Sequence, residues 1–423
     1  MARTDCITGG VAKQIGATAI VEACEVKAPA SAASGGRFAI GGERIGAHRT
    51  IKVAFVDQTG NEVGGAEESL ALLLTHLPPD ISPLVILFEE GVFAKRLRNA
   101  GFAVEILPIA GVINNATRNR FALSSLRVVP GALATLVALL RSHEVDVVHT
   151  NTVKAHFLGC IAARLARIPC VVHLRDILGG VGRVALRASV VAGSNRRIAI
   201  SSVVAACYGL SHTEVIANPL DLATYEVLPD RSWARARLSL PEDAPIFAIV
   251  GRVNRWKGHG KFLRSAARAS LDTNIRFAVV GEPRFGDSGY VSELQAMAKD
   301  LEIGDRVHFL PWQAEMKTVY AAIDVLVNCS EREPFGRTVI EAAAASIPTI
   351  CFDDAGVAEF MLRAGIGSVV PAGDESALAD AMIRLSRDEA ALSESGKAAR
   401  SWAKEFDAAT HARKVGNVLR GVA

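Results

Sequence analysis

The strongest constraint on the fold is an alternation of strands and helices that begins at residue 51. A continuous β-branched run, IKVAFVD (51–57), precedes a glycine-bearing loop and the helical stretch SLALLLTHL. Such continuous apolar runs are typical of parallel strands that are buried on both faces of a sheet. Further strands, most of them followed by a helix, are predicted at PLVILFE, AVEILPI, DVVHTN, CVVHLRD and RIAISS. This alternation predicts a doubly wound parallel sheet.

The same alternation starts again after VIANPLDLATY (215–225). A second set of strands is predicted at IFAIVGR, IRFAVVGE, RVHFLPW, DVLVNCS, PTICFD and GSVVP. We therefore predict an α/β protein with two doubly wound Rossmann-like domains, 49–218 and 219–400, that are hinged near Asn218 and face a cleft. The tail, 401–423, is predicted to be a closing helix. Because ligands of open parallel sheets bind beyond the carboxyl ends of the strands, binding residues are expected in the loops that follow them.

The composition excludes several classes of protein. Of the 423 residues, 50% are hydrophobic and 22% are charged, and the formal net charge is +3. This profile is typical of a globular protein and does not indicate a nucleic-acid partner. Seven cysteines without a CxxC pair indicate reduced thiols and a cytoplasmic location rather than a disulfide framework or a zinc site. No apolar run reaches the ~18–20 residues that span a bilayer.

Two regions differ from the average composition. Residues 1–48 are rich in Ala, Gly and Ser and have no strand or helix period, so we predict a disordered N-terminal extension rather than a secretory signal. Residues 49–220 carry 17 Lys or Arg against 12 Asp or Glu. The first domain is therefore the one expected to meet an anionic partner.

A basic loop, GRVNRWKGHG, follows the first strand of the second domain. Gly251 permits a tight turn, and Arg252 and Lys257 are spaced so that both can reach one point beyond the strand. A planar guanidinium fork and an ammonium point charge together suit a diphosphate. The alternative is that both are solvated residues of an ordinary turn.

The stretch EREPFGRTVIEAAAASIPTI follows the fourth strand of that domain. A helix is predicted to start near Gly336, so that the N–H groups from Gly336 to Thr338 form an anion site. Glu341 is placed to accept hydrogen bonds from ribose hydroxyls, and Glu333 to meet the hydroxyls of a sugar beyond the phosphates. The alternative is one carboxylate that stabilises the helix N-terminus and one exposed loop acid.

Together these residues resemble a known family, the retaining GT-B glycosyltransferases of family four, also called glycosyl transferase group 1. EREPFGRTVIEAAAASIPTI resembles its E-x7-E pattern, and GRVNRWKG resembles its diphosphate element. The resemblance runs from about residue 51 to 410. It departs at Ser346, where the family usually has a glycine, and we expect only a local change of packing there.

The resemblance implies a GT-B fold whose C-terminal helix crosses back, and transfer of a sugar from a nucleoside diphosphate sugar to an acceptor hydroxyl with retained configuration. It implies that Arg252 and Lys257 hold the diphosphate and that Glu341 binds the ribose. Glu333 and the backbone of Phe335 and Gly336 would bind the donor sugar. Other substrate contacts are implied for Gly64, Gly65, His173, Arg337 and Thr338.

Several alternatives stay open at this stage. A strand-end histidine is often structural, and His149 has a context similar to that of His173. No cofactor or metal is expected, because the chain has no Asp-x-Asp to chelate a cation beside a diphosphate. A nicotinamide enzyme is excluded by the lack of G-x-G-x-x-G after the first strand. A GT-B nucleotide-sugar epimerase and a non-catalytic sugar-nucleotide-binding protein remain as alternatives.

The acceptor is expected in the first domain. TRNRFALSSLRVV interleaves arginines with apolar residues, and Arg183 and Arg187 add to its charge. With the resemblance, this pattern predicts a sugar or lipid-linked acceptor, cell-surface polysaccharide or glycolipid synthesis, and peripheral association with an anionic inner membrane face. The alternative is a basic helix that packs on the sheet. Trp312 either contacts the base of the donor or packs in the core. The arginines of TRNRFALSSLRVV and their apolar neighbours are Arg118, Arg120, Arg127, Phe121, Leu123, Leu126, Val128 and Val129.

Overall fold

The structure is a computed structural model that describes residues 49–61, 64–107, 109, 125–283 and 289–423, without the side chains of 125–128. Residues 48–423 form one compact unit. The predicted extension, 1–48, and most of the basic stretch that starts at Thr117 lie outside the described residues.

The first sheet has seven parallel strands in the order β3-β2-β1-β4-β5-β6-β7. Its strands and helices follow one another along the chain as β1 (Ile51–Asp57), α1 (Gly65–Thr75), β2 (Ile81–Leu87), α2 (Val92–Asn99), β3 (Ala103–Ile106), α3 (Ser125–Ser142), β4 (Val147–Thr150), α4 (Val153–Ala166), β5 (Cys170–Leu174), α5 (Gly180–Gly193), β6 (Arg196–Ala199), α6 (Ser202–Tyr208) and β7 (Thr213–Val215).

The second sheet has six parallel strands in the order β10-β9-β8-β11-β12-β13. Its elements are α7 (Arg231–Arg237), β8 (Ile246–Val250), α8 (His259–Ser270), β9 (Arg276–Val280), α9 (Tyr290–Asp300), β10 (Val307–Leu310), α10 (Met316–Ala322), β11 (Val325–Asn328), α11 (Arg337–Ala344), β12 (Thr349–Phe352), α12 (Ala358–Ala364), β13 (Ser368–Val370), α13 (Glu375–Arg387), α14 (Glu389–Ala403) and α15 (Ala408–Arg420).

The strand order reverses direction once in each sheet, between β1 and β4 and between β8 and β11. At such a switch point the two following loops leave the sheet on opposite sides and open a crevice. The central strands are apolar and buried on both faces because helices cover both sides of each sheet, whereas β3 and β7 at the edges of the first sheet are partly exposed. The predicted doubly wound architecture is confirmed, and its switch points fix where ligands can bind.

The end of the chain corrects one prediction. Ser401 is not the start of a closing helix, because α14 continues to Ala403 and the chain then bends before α15 starts at Ala408. The Asp407 carboxylate caps α15 by accepting the N–H of Thr410 at 2.9 Å. Val415 and Leu419 of α15 then pack in the apolar cluster beneath β1 and β2, so this helix crosses back to the first domain.

Ser346, the departure from the family pattern, follows α11 with a φ of 64°. This left-handed conformation favours glycine because it brings Cβ close to the next carbonyl oxygen. The difference therefore concerns the backbone as well as the packing.

Candidate functional site

A pocket lies at the switch point of the second sheet. It is lined by the ends of β8 and β11 and by the first turn of α11, including Gly251, Lys257, Asn328, Ser330 and Thr338. Two loops that are distant in sequence, those after β8 and β11, meet there because β8 and β11 are neighbours in the sheet. Two of the predicted site residues, Lys257 and Thr338, thus lie in one place.

The loop after β8 has a defined shape that positions Lys257. The Asn254 side chain accepts the N–H of Lys257 at 3.3 Å and begins a short 3-10 turn. Gly258 ends that turn with a φ of 77°, and a Cβ there would meet the carbonyl oxygen of Cys329 at 2.1 Å. Only glycine fits this contact. Arg252, at the start of the loop, is exposed.

Lys257 and Glu333, both predicted site residues, form an ion pair. Lys257 Nζ lies 2.5 Å from Glu333 Oε2, and it also lies 4.3 Å from the centroid of the Trp256 ring. The Glu333 side chain is buried, with 9% exposed, whereas that of Lys257 is 21% exposed. The two charges therefore compensate each other, and Lys257 of this pair lines the pocket.

Gly336 is the N-cap of α11, as predicted, with a φ of 103° that suits glycine. The preceding loop is fixed from both sides. The Ser201 hydroxyl, at the end of β6, donates to the carbonyl of Pro334 at 2.6 Å, and the Phe335 ring packs between Phe360 and Phe406. Phe335 is buried, so its ring is not exposed to a ligand.

Glu341 does not line the pocket of Lys257. Its carboxylate accepts the Tyr320 hydroxyl at 3.0 Å and the Arg337 guanidinium at 3.4 Å. Burial, followed by the Glu341 charge, raises the pKa of Tyr320 well above its ordinary value. Glu341 thus stands at the edge of the site with one partner on each oxygen.

Arg337 connects the two domains. Its guanidinium donates to Ser69 Oγ at 3.0 Å and to the Gly65 carbonyl at 3.4 Å. A Cβ on Gly65 would lie 2.9 Å from Arg337 Cδ, which explains a glycine at this position. Gly64, predicted with it as a donor contact, is the N-cap of α1. In the structure, the group that closely approaches the loop of Gly64 and Gly65 is the Arg337 side chain.

The His173 imidazole lies among other buried polar side chains of the first domain. It is fully buried in β5, 5.5 Å from the His149 ring and 6.0 Å from that of His411. Burial lowers the pKa of His173 well below 6.5. The resemblance implies a sugar contact through the imidazole or the backbone of His173. The buried ring lies 3.4 Å from the Arg175 guanidinium through its Nδ1, and the sugar contact stays a prediction. His149 is likewise a buried residue.

The prediction missed a polar network at the carboxyl edge of the first sheet. Arg175 Nε donates to Asn151 at 2.7 Å and Arg175 Nη1 donates to Asn218 at 2.5 Å, while the Asn151 amide donates to Asp57 at 2.6 Å. Burial, followed by the charge of Asp57, raises the pKa of Glu67 to about 7. The sequence signal was available, because Asp57, Asn151 and Arg175 each end or follow a strand.

Two further findings concern the described part of the chain. It holds no group of three or more His, Cys, Asp or Glu side chains that could bind a metal ion, and none of its helices is long and apolar enough to cross a membrane. Trp312, which follows β10, is exposed. The alternative of a core tryptophan is therefore wrong.

Two Rossmann-like sheets with a pocket at the second switch point define the GT-B class of fold. The chain matches the family Glycosyltransferase Family 4 over residues 63–224 and the family Glycosyl transferases group 1 over residues 230–402. The chain belongs to the group 1 glycosyltransferases. The predicted family, fold and enzyme class are thereby confirmed.

Relatives of known name agree with this assignment. The chain is 30% identical over 291 residues to the D-inositol 3-phosphate glycosyltransferase of Actinosynnema mirum, covering 61% of this chain and 69% of the relative. It is 30% identical over 272 residues to that of Catenulispora acidiphila, covering 58% and 65%. The chain thus spans less than two thirds of the Catenulispora relative. These relatives do not favour the epimerase or the non-catalytic alternative.

Among solved structures, the chain is similar to Anabaena HepE in complex with UDP and glucose. The TM-score is 0.73 and the identity is 26%, and the match covers 88% of this chain and 99% of that chain.

Proposed function

We propose that this protein is a retaining glycosyltransferase that transfers a sugar from a UDP-sugar to an acceptor hydroxyl. The observation that carries the proposal is the ion pair of Lys257 with Glu333, in which Lys257 lines a pocket beside the N-terminus of α11. A cation, a carboxylate and free helix N–H groups suit a diphosphate joined to a sugar. The similarity to HepE, which binds UDP, supports uridine as the nucleoside.

In this proposal the donor exchanges partners with the site. The diphosphate takes the place of Glu333 beside Lys257, and Arg252 and the α11 N–H groups add positive potential. Glu333 is then released to accept hydrogen bonds from sugar hydroxyls. Glu341 accepts hydrogen bonds from the hydroxyls of the ribose. The bond between the anomeric carbon and the diphosphate oxygen breaks while the acceptor oxygen attacks from the same face. The departing diphosphate takes the acceptor proton.

This chemistry requires no metal ion. The negative charge that develops on the diphosphate is stabilised by Lys257, Arg252 and the helix N-terminus. The sequence has no Asp-x-Asp to hold a cation at that position.

We further propose that the acceptor is a sugar or lipid-linked molecule of cell-surface polysaccharide or glycolipid synthesis. It would bind the first domain, and the protein would be cytoplasmic and peripheral at an anionic membrane face. The positive excess of residues 49–220 supports this location.

The donor is tested first by thermal shift against a panel of nucleotides. A ligand at 100 times its Kd stabilises the fold by ~2.7 kcal/mol, so UDP should raise the melting temperature most. Arg252→Ala or Lys257→Ala should then lower turnover of the donor about 100-fold. Glu341→Ala should mainly raise the KM for the donor.

Arg255→Ala is a matched control, because Arg255 lies in the same loop but pairs with the exposed Glu293 at 2.7 Å. Its turnover should remain near that of the wild type. Near-native rates in all three site variants would show that the donor does not bind at this pocket.

A further inference from the structure

Three neighbouring helices cover one side of the first sheet and contain no carboxylate. The helices α3, α4 and α5 pack side by side and include no Asp or Glu among their residues. Each carries two basic residues: Arg127 and Arg141, Lys154 and Arg164, and Arg183 and Arg187. Helices on the surface of a globular protein usually carry both signs of charge. One side of the first domain is thus covered by helices of a single sign.

The same helices expose large apolar side chains. Val181 and Val184 of α5 are 85% and 63% exposed, and Val191 continues their stripe about two turns further along the same helix face. Ile161 and Leu165, one turn apart on α4, are also exposed. We name these five residues the α4–α5 face. Single exposed apolar residues are common, but a set on two packed helices indicates an interaction surface.

The arginines around the α4–α5 face are not neutralised by the protein. Arg164, Arg183 and Arg187 are exposed, and none has an ion-pair partner within the part of the chain that the structure describes. Arg164 donates to the carbonyl of Ala192 at 3.1 Å and Arg187 to that of Tyr208 at 2.9 Å. These bonds hold the arginines against the helix ends while their positive charge persists.

From this combination we propose that the α4–α5 face rests on an anionic lipid bilayer. The inference rests on the proposed function, since it names the surface with which the glycosyltransferase reaches a lipid-linked acceptor. Valine and leucine side chains enter the acyl boundary, and the arginines meet lipid phosphates. Apolar side chains surrounded by basic ones, on helices without carboxylates, are complementary to a continuous anionic surface. A single acidic group would match only one of these basic residues.

The position of α5 relates this contact to the acceptor. The helix begins at Gly180, shortly after β5 ends at Leu174, and it therefore starts at the carboxyl edge of the sheet. Acceptors of this fold bind at the same edge. Val181 and Val184, the most exposed members of the face, belong to the first turns of α5. The bilayer would thus lie beside the mouth of the cleft.

The test is cosedimentation of the full-length protein with vesicles of equal parts phosphatidylglycerol and phosphatidylcholine. The wild type should bind these vesicles at low salt, bind less at high salt, and not bind vesicles of phosphatidylcholine alone. Val181→Asp/Val184→Asp and, separately, Arg183→Glu should lower the fraction bound at least fivefold. These side chains are exposed at a helix N-terminus, where acidic residues are tolerated.

Leu271→Asp and Arg268→Glu are the matched controls, because both residues are exposed on the second domain. They should bind vesicles as the wild type does. The proposal is overturned if the wild type stays in the supernatant at low salt, if it binds only a protein partner, or if the controls lose binding equally. Turnover of the UDP-sugar without vesicles is measured in parallel. If turnover fails while vesicles are bound, the proposed function fails and the surface assignment stands.

Discussion

The buried histidines of the first domain predict a specific sensitivity to acid. His411 of α15 lies against His173, and its Nδ1 donates to the carbonyl of Ala217 at 2.8 Å. Its Nε2 has no hydrogen-bond partner among the described residues. Burial, followed by the charge of Arg175, lowers the pKa of His411 to about 3. The ring is therefore neutral in the folded protein at neutral and mildly acidic pH.

The sign of the effect follows from the two states. An unfolded histidine binds a proton below about pH 6.5, whereas folded His411 does not bind one until about pH 3. Stability from this ring is therefore present above pH 6.5 and is lost as the pH falls. Between about pH 7 and pH 5 the loss amounts to ~2 kcal/mol in the free energy of unfolding. Glu67 acts in the opposite direction, because its pKa is raised to about 7.

A single variant separates the contribution of His411 to the pH dependence from that of Glu67 and the other titratable groups. His411→Asn keeps an N–H donor for the Ala217 carbonyl but removes the titratable ring. We expect it to be less stable than the wild type at pH 7, since ring packing is lost. Between pH 7 and pH 5, however, its free energy of unfolding should fall by ~2 kcal/mol less than that of the wild type.

The measurement is urea unfolding at both pH values, followed by circular dichroism. The exposed His212 on the turn before β7 provides the control, and His212→Asn should keep the pH dependence of the wild type. Equal losses of stability in His411→Asn and the wild type would show that His411 titrates in the folded state, and the argument from burial would then be wrong.

Lys257→Met should lower the free energy of unfolding by about 3 kcal/mol, because the buried Glu333 carboxylate loses its partner. In urea unfolding, the double variant with Glu333→Gln should recover part of this loss. A double variant that is no more stable than Lys257→Met would contradict the pairing. Excess EDTA should leave sugar transfer largely intact, and activity that is lost and then restored by Mn²⁺ or Mg²⁺ would refute charge neutralisation by the protein alone. A protein that starts at Arg49 should keep its melting temperature and turnover, because residues 49–423 supply the proposed site. A collapse of either would show that residues 1–48 contribute to the fold.

The parts of the fold set by local sequence could be predicted. Strands such as β1 and β8 are continuous apolar runs, and a strand of this kind has few alternatives to the centre of a parallel sheet. Lys257 and Glu333 could be placed together because each follows a strand, and the rule for strand ends then locates both. The Asp407 cap was equally local and could have marked the start of α15.

Contacts between distant segments could not be predicted in the same way. Arg337 of the second domain donates hydrogen bonds to Gly65 and Ser69 of the first, and no local sequence pattern predicts that contact. The place of His173 shows a second limit. Its neighbours in sequence are those of an active-site strand, but its ring is packed against His411 from the end of the chain, and this packing decides where the ring points.

The return of α15 to the first domain has a consequence for synthesis on the ribosome. Residues 408–420 are translated after the whole second domain, yet they pack in the same apolar cluster as Val53 and Phe55 of β1. The first domain therefore leaves the ribosome with one face of its sheet only partly covered, by α1 and α2, although all its strands have already been made. A nascent chain in this state exposes apolar surface for as long as the second domain takes to be translated, and chaperones bind such surface.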